Sequence, residues 1–238
     1  MFEVLAQGAT AEIIDWGSDR VLKRFYGNFD RHRVEEEAAR QRTAFDAGLP
    51  VPELVEVIQT DDDFWGIVME KTPPTTILDI CSSQSQMLDY LVMLQRKIHA
   101  VDVLFPTMRN KMETSLFQSK MPLDQMSLAL RRLQEMPSGQ SACHFDFHPG
   151  NIMGDGKQWW IVDWADAVVG HPRADVCRTW MILEMWKPDI AEMYRQRWND
   201  VGYESFADWL PLLASARLVE NRPATENLKL REWARVLI

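Results

Sequence analysis

The sequence predicts an α+β chain, with a strand-rich first third and a helix-rich remainder. Three observations carry this. Short apolar runs separated by polar turns fill most of the first seventy residues, with one helical stretch among them. Pro73 and Pro74 stop the last of these runs and make a stiff link. Beyond them, helical patterns dominate, interrupted by one loop–strand segment, His144 to Asp163. The expected division is therefore residues 1–70 and residues 71–238.

Phe2 to Ala6 alternates weakly and reads as a first strand, with Gln7 to Thr10 a small-residue turn. Ala11 to Ile14 is a second strand, Trp16 to Asp19 a hairpin turn, and Arg20 to Phe25 a third strand with Lys23 inside it. An ammonium held among apolar strand residues is costly unless paired, so Lys23 needs a carboxylate. Arg31 to Arg33 reads as a surface turn. Val34 to Ala47 reads as a helix opening on Glu35, Glu36 and Glu37, with Gly48 as its stop. Leu49 to Pro52 is extended. Glu53 to Ile58 and Phe64 to Met69 are strands around the polar turn Thr60 to Asp63.

Ser85 to Val101 is an amphipathic helix, whose stripe is Leu88, Leu91, Val92, Leu94, Gln95 and Ile98. Met108 to Gln118 and Leu123 to Met136 are further helices, the second ended by Pro137 to Gly139. After the central segment come helices at Val176 to Trp186, Ile190 to Asn199, Phe206 to about Leu213, and from Asn227 onward. Trp164, Trp180, Trp186, Trp198, Trp209 and Trp233 make this end aromatic-rich, and such tryptophans more often build core than bind a cofactor.

The central segment reads His144-Phe-Asp146-Phe-His148-Pro-Gly-Asn151, then the apolar strand Gln158 to Val162, then Asp163. Pro149 and Gly150 make the first part a loop. A loop with an Asp and an Asn, followed by a strand ending in a second Asp, suits phosphoryl transfer. Asp146 can take the proton of an attacking hydroxyl, while Asn151 and Asp163 can hold Mg²⁺ against phosphate oxygens. A lone Asp or His in a loop is usually a cap. A sharper rival is the two-His-one-carboxylate iron site suggested by His144, Asp146 and a further His. It gives Asn151 and Asp163 no role and calls for a sheet-rich second half, where helices are read.

The segment resembles the H-x-D-x-x-x-x-N loop and metal-binding Asp of the aminoglycoside phosphotransferase and choline kinase families. These share the bilobal protein-kinase-like fold: an antiparallel sheet plus a helix, then a mostly helical lobe. The resemblance implies a kinase moving the γ-phosphate of ATP or GTP to a hydroxyl of a small molecule, with Mg²⁺. It makes the loop at Gly8 and Thr10 a phosphate cover, in which Gly8 lets backbone N–H groups approach and Thr10 adds a hydroxyl. Lys23 grips phosphates and is positioned by Glu37, with Glu36 as second choice. Glu70 and Thr72 offer backbone groups to the adenine. His144 braces the loop, His148 packs beside it, and Asp175 of Gly170-x-Pro-x-x-Asp anchors it from behind. On the residues alone Asp175 also reads as a helix N-cap. His99 has a structural position in the family. Acidic groups of the last helices bind a cationic acceptor there, and Glu184, Glu192, Asp200, Glu204 and Asp208 supply carboxylates in that region here; Asp166, in the loop after Asp163, reads as exposed and able to face a cationic substrate.

A net charge of −9 makes a nucleic-acid partner a poor fit and favours a cationic substrate. Cys81, Cys143 and Cys177 are scattered, with no C-x-x-C, which argues against a disulfide framework and a zinc cluster. No secretory signal or membrane-spanning run is seen, so the expectation is a cytoplasmic protein without a membrane partner. A protein Ser/Thr kinase is disfavoured, because Asp-Phe-Gly and Ala-Pro-Glu are absent and Asp163 to Gly170 leaves no room for an activation loop. A non-catalytic nucleotide-binding regulator is disfavoured because no catalytic position is missing.

Overall fold

The computed structural model describes residues 3–27, 29–119, 121–198, 204–220 and 222–235, with the side chains of 204–207 excepted. Phe2, Asn199 and Asp200, and the side chains of Glu204 and Phe206, lie outside what is described.

In chain order the elements are β1 (Val4–Gln7), β2 (Ala11–Asp15), β3 (Arg20–Phe25), α1 (Arg31–Asp46), β4 (Leu54–Gln59) and β5 (Trp65–Glu70). Then come α2 (Ile77–Ile80), α3 (Gln84–His99), α4 (Met108–Gln118), α5 (Leu123–Glu135), β6 (Ser141–Cys143), β7 (Ile152–Gly154), β8 (Trp159–Ile161) and β9 (Val168–Gly170). The last four are α6 (Pro172–Trp186), α7 (Pro188–Gln196), α8 (Glu204–Arg217) and α9 (Ala224–Ala234). Single 3-10 turns occupy Pro149–Asn151 and Trp164–Asp166.

Two compact units result. The first is Met1–Cys81 with Pro149–Asp166, and the second is Ser82–His148 with Ala167–Ile238. The sequence reading divides the chain at residues 70 and 71, whereas the first unit runs further and takes in a second segment. The physical reason is backbone pairing. Gly154 N–H donates to Thr75 O at 3.0 Å, Thr75 Oγ1 donates to Gly154 O at 2.6 Å, and Ile161 N–H donates to Pro50 O at 2.7 Å.

The first unit holds a five-stranded antiparallel sheet in the order β1-β2-β3-β5-β4. Strand β3 is central, so Lys23 sits opposite Ile13 on one side and Ile67 on the other. Helix α1 packs Val34 and Ala38 with Ala11, Phe25, Leu54 and Ile67. Ile14, Leu22 and Val68 form a second apolar cluster under Trp16 and Ile58. Helix α1 starts at Arg31, so Arg31 to Arg33 are its first turn and not a surface turn. Asp30 caps it by accepting the Arg33 N–H at 2.9 Å. Gly48 takes φ +78° just past its end, a conformation glycine adopts without a Cβ clash. The β7–β8 hairpin completes this unit.

The second unit is mainly helical, with the two-stranded ladder β6–β9. Leu88, Leu91, Leu94 and Ile98 of α3, Met112 and Leu116 of α4, Met181 and Leu183 of α6, and Leu212 and Leu213 of α8 are fully buried. Helix α6 begins at Pro172 with His171 as its cap. Asp175 therefore lies inside the first turn and is not the N-cap. Trp198 and Trp209 are buried core, whereas Trp186 is half exposed.

Candidate functional site

In the first unit an ion network is built around Lys23. Its Nζ donates to Glu37 Oε1 at 2.5 Å and to Asp163 Oδ1 at 3.1 Å. Lys23 reaches Glu37 because α1 lies across the sheet, with Glu37 on its buried side. Glu36 points elsewhere, toward His32 and Arg40, and Glu35 pairs with Arg31 at 2.7 Å. Burial favours loss of the Lys23 proton, but the carboxylates of Glu37 and Asp163 outweigh this and hold the amine above the ordinary lysine range. The carboxylates outnumber the ammonium: Glu37 feels repulsion from both Asp163 and Asp166.

Asp163 follows β8 in a left-handed conformation, φ +66°. Val162, just before it, donates its N–H to Asn151 O at 3.0 Å, which ties the Asp163 end of the strand to the Asn151 backbone. The Asn151 side chain is nearly buried, whereas the Asp163 side chain is 42% exposed. Asp166 lies in the 3-10 turn after Asp163 and is partly buried, where the sequence suggested an exposed side chain.

In the second unit the loop after β6 carries Asp146. Its carboxylate has His148 Nε2 at 3.8 Å from Oδ2 and Arg217 Nη1 at 4.0 Å from Oδ1. His144 is fully buried, accepts the Asp146 N–H at Nδ1 over 3.4 Å, and meets the Phe147 ring edge-on. Phe145 is held at φ +66°, an unusual backbone state for a bulky residue. Both of its backbone groups are fastened. Its N–H donates to Asp175 Oδ1 at 2.8 Å, and its carbonyl accepts from Arg178 Nε. Asp175 Oδ2 also lies 2.8 Å from Gln95 Nε2 and 2.8 Å from His99 Nε2. Burial works to raise the Asp175 pKa, but the bonds from His99, Gln95 and Phe145 win and keep it below the usual carboxylate range.

The other expected positions are less open than the sequence suggests. Gly8 already spends its N–H on Ala11 O at 2.8 Å, and its carbonyl accepts from the Tyr26 hydroxyl at 3.2 Å. The neighbouring carbonyl of Thr10 accepts the Tyr26 N–H at 3.0 Å. Glu70 donates its N–H to Glu53 O at 2.9 Å, which leaves its carbonyl as the backbone group it has to offer. Thr72 lies two residues on, in the link after β5 and half-buried. Glu184 pairs with Lys229 at 2.9 Å, Glu192 with Arg195 at 2.5 Å, and Asp208 with Arg132 at 3.3 Å. These carboxylates are already matched by basic neighbours.

The sequence alone assigns no site role to Gln95, Arg178 or Arg217. Gln95 had a signal, a glutamine within an apolar helical stripe, which implies a buried polar partner. A single arginine on a helix carries no such signal.

The donor types of Asp163 and Asn151 fit a small hard cation. A carboxylate and a carboxamide supply oxygen ligands, and the surplus negative charge favours a divalent ion. Asn151 and Asp163 are the residues that would hold it. The cluster of His99, Cys143 and Asp175 is a poorer metal candidate, because it is buried and Asp175 already accepts its hydrogen bonds there.

A five-stranded sheet unit with a Lys–Glu pair, and a helical unit with an Asp loop braced by His144 and a buried Asp175, define a protein-kinase-like fold. The model of the phosphotransferase enzyme family matches residues 3–209, so the chain belongs to that family and is a small-molecule kinase. The solved structure of aminoglycoside phosphotransferase APH(4)-Ia superimposes with a TM-score of 0.71 at 16% identity, covering 100% of this chain and 91% of that one. Choline kinase LicA from Streptococcus pneumoniae gives 0.69 at 13% identity, over 98% and 92%. A choline/ethanolamine kinase family protein from Mesorhizobium loti gives 0.60 at 16%, over 100% and 85%. No curated protein matches the chain in sequence. Among the described residues no helix is long and apolar enough to cross a membrane.

Proposed function

We propose that the chain transfers the γ-phosphate of ATP or GTP to a hydroxyl group of a small molecule, with Mg²⁺. The observation that carries this reading is the Lys23–Glu37–Asp163 network, a buried ammonium fixed between two carboxylates on the unit that also bears Asn151. Residues 1–70 carry the nucleotide and the remainder carries the Asp146 loop and the acceptor. An APH(4)-Ia variant has been solved with ADP and hygromycin B, which supports a nucleotide and a hydroxylated acceptor as partners. Neither nucleic acid nor membrane is a partner in this reading. Three scattered cysteines, two of them buried, support a reducing, cytoplasmic setting.

Lys23 binds phosphate oxygens, and Glu37 keeps its ammonium aimed and charged. Asn151 and Asp163 hold Mg²⁺, which when bound neutralises charge on the transferring phosphoryl oxygens. Asp146 accepts the hydroxyl proton as the acceptor oxygen bonds to phosphorus and the bond to the leaving nucleoside diphosphate breaks. Glu70 and Thr72 bind the base through their backbone, and the Gly8–Thr10 turn covers the phosphates through the groups it has left. Most of the acceleration comes from positioning and charge neutralisation. The paired state of Glu184, Glu192 and Asp208 speaks against these three as binders of a cationic acceptor.

The test is Asp163→Asn, followed by nucleotide calorimetry and turnover with and without Mg²⁺. The expected result is a folded variant whose nucleotide affinity no longer depends on Mg²⁺ and whose turnover drops by roughly 10²-fold or more, the scale of losing a charge-stabilising group. A variant with the wild-type response to Mg²⁺ removes Asp163 from the metal.

A further inference from the structure

Arg217, at the end of α8, is 2% exposed and points at the Asp146 loop. A buried guanidinium normally spends its donors on acceptors, because an unmatched buried charge is expensive. Here Nε and Nη1 are shut off from solvent and make no hydrogen bond with a described residue. What surrounds them is charge. Nη1 lies 4.0 Å from Asp146 Oδ1, and Nε lies 3.2 Å from Glu220 Oε2. Glu220 is shared, since its other oxygen takes Arg178 Nη2 at 2.8 Å. Arg178 in turn donates to the Phe145 carbonyl and lies 4.8 Å over the Phe145 ring.

The four residues form a chain around one turn of backbone. Arg178 fastens the peptide that leads into Asp146, Glu220 joins Arg178 to Arg217, and Arg217 faces the Asp146 carboxylate. The carboxylate thus has a different neighbour on each oxygen, Arg217 on Oδ1 and His148 on Oδ2. At 4.0 Å the Arg217 contact is electrostatic, so it orients the carboxylate without tying up a lone pair in a hydrogen bond. Burial and repulsion from Arg178 act against the Arg217 charge, while Glu220 and Asp146 favour it.

We infer that Arg217 is a positioning residue for Asp146, held by Glu220 and coupled through Arg178 to the backbone of the same loop. The inference rests on the role proposed above for Asp146. Arg217 faces Oδ1 and so sets the orientation of the carboxylate that receives the acceptor proton. A surface arginine would be screened and mobile; burial makes this one a fixed charge.

The experiment compares Arg217→Met and Arg217→Lys, alone and with Asp146→Ala. Each variant is crystallised, and its turnover and nucleotide KM are measured with Mg²⁺. The expected result for Arg217→Met is a kcat about 10–100-fold lower, part of the ~10²–10⁴ that a positioned base supplies, at a nucleotide KM unchanged within about twofold. Arg217→Lys keeps the charge and recovers most of that loss. In the Asp146→Ala background Arg217→Met has no further effect, because its target is gone. The crystal structure of Arg217→Met shows the Asp146 carboxylate rotated. An unchanged kcat, an equal loss in both backgrounds, or an unmoved Asp146 overturns the inference. If Arg217→Met fails to fold, Arg217→Lys decides, since a compact ammonium lacks the planar fork that faces both Asp146 and Glu220. A small fall in kcat at constant KM then supports the inference, and a rise in KM alone overturns it. A wild type silent toward every acceptor counts against the proposed reaction, while the Asp146 orientation in the two crystal structures still decides the positioning role.

Discussion

Lys23 is a cation fixed by two carboxylates, and removing it leaves them without a counter-charge. In Lys23→Met the buried Glu37 keeps its desolvation and the repulsion of Asp163 and Asp166 but loses its counter-charge. Its pKa then rises further above the unfolded value. A group with a raised native pKa contributes stability below its unfolded pKa and loses it as pH rises through the native one. Urea unfolding of Lys23→Met should therefore show stability falling relative to wild type as pH rises above the ordinary glutamate value of about 4.3. A difference independent of pH would contradict this. At this scale the sequence says a good deal about Lys23, because an ammonium inside an apolar strand demands a partner. It says little about which of three consecutive glutamates answers. That depends on which side of α1 is buried, and Glu37 is the one on that side.

At the level of elements, Asp175 on α6 holds Phe145, Gln95 and His99 together, and so links α6, α3 and the loop that carries Asp146. Its lowered native pKa has the opposite sign to the case above: the stability it contributes is complete above the unfolded carboxylate value of about 3.9 and is lost as pH falls through the native one. Asp175→Asn leaves its partners facing an amide and should cost about 3–5 kcal/mol at neutral pH, as breaking a buried charged network does. Below about pH 4 the gap to wild type should narrow, because the wild-type carboxylate is then being protonated as well. Thermal unfolding at a series of pH values reads this directly, and a gap that widens in acid would contradict it. The longer elements were legible because α3, α4 and α5 repeat an apolar spacing over several turns. Strands β6, β7 and β9 were not, because three residues hold no period. Thr75 and Gly154 specify β7 by pairing across the fold. Helix α2 had a signal in Thr76-x-x-Asp79, whose Asp79 carboxylate accepts the Thr76 N–H at 2.8 Å, but one turn of helix has little pattern besides.

For the whole molecule, the first unit recruits Pro149–Asp166 from the middle of the chain, so Lys23 meets a carboxylate 140 residues away. No local pattern encodes such a meeting; the order of residue types in His144 to Asp163 hinted at the chemistry, and the fold supplied the partners. Arg217 and Arg178 illustrate the limit, since each reads as an ordinary helical arginine until burial and Glu220 give it a role. As proposed above, Asp146 is the proton acceptor of a small-molecule kinase. The most direct measurement is ³¹P NMR of the products formed from Mg²⁺-ATP or Mg²⁺-GTP and a panel of hydroxylated small molecules, with wild type and Asp146→Ala side by side. A new phosphoester is expected from at least one acceptor, formed about 10²-fold or more slowly by Asp146→Ala. An Asp146→Ala enzyme as fast as wild type, or a wild type that binds nucleotide yet phosphorylates nothing in widening panels, would contradict it.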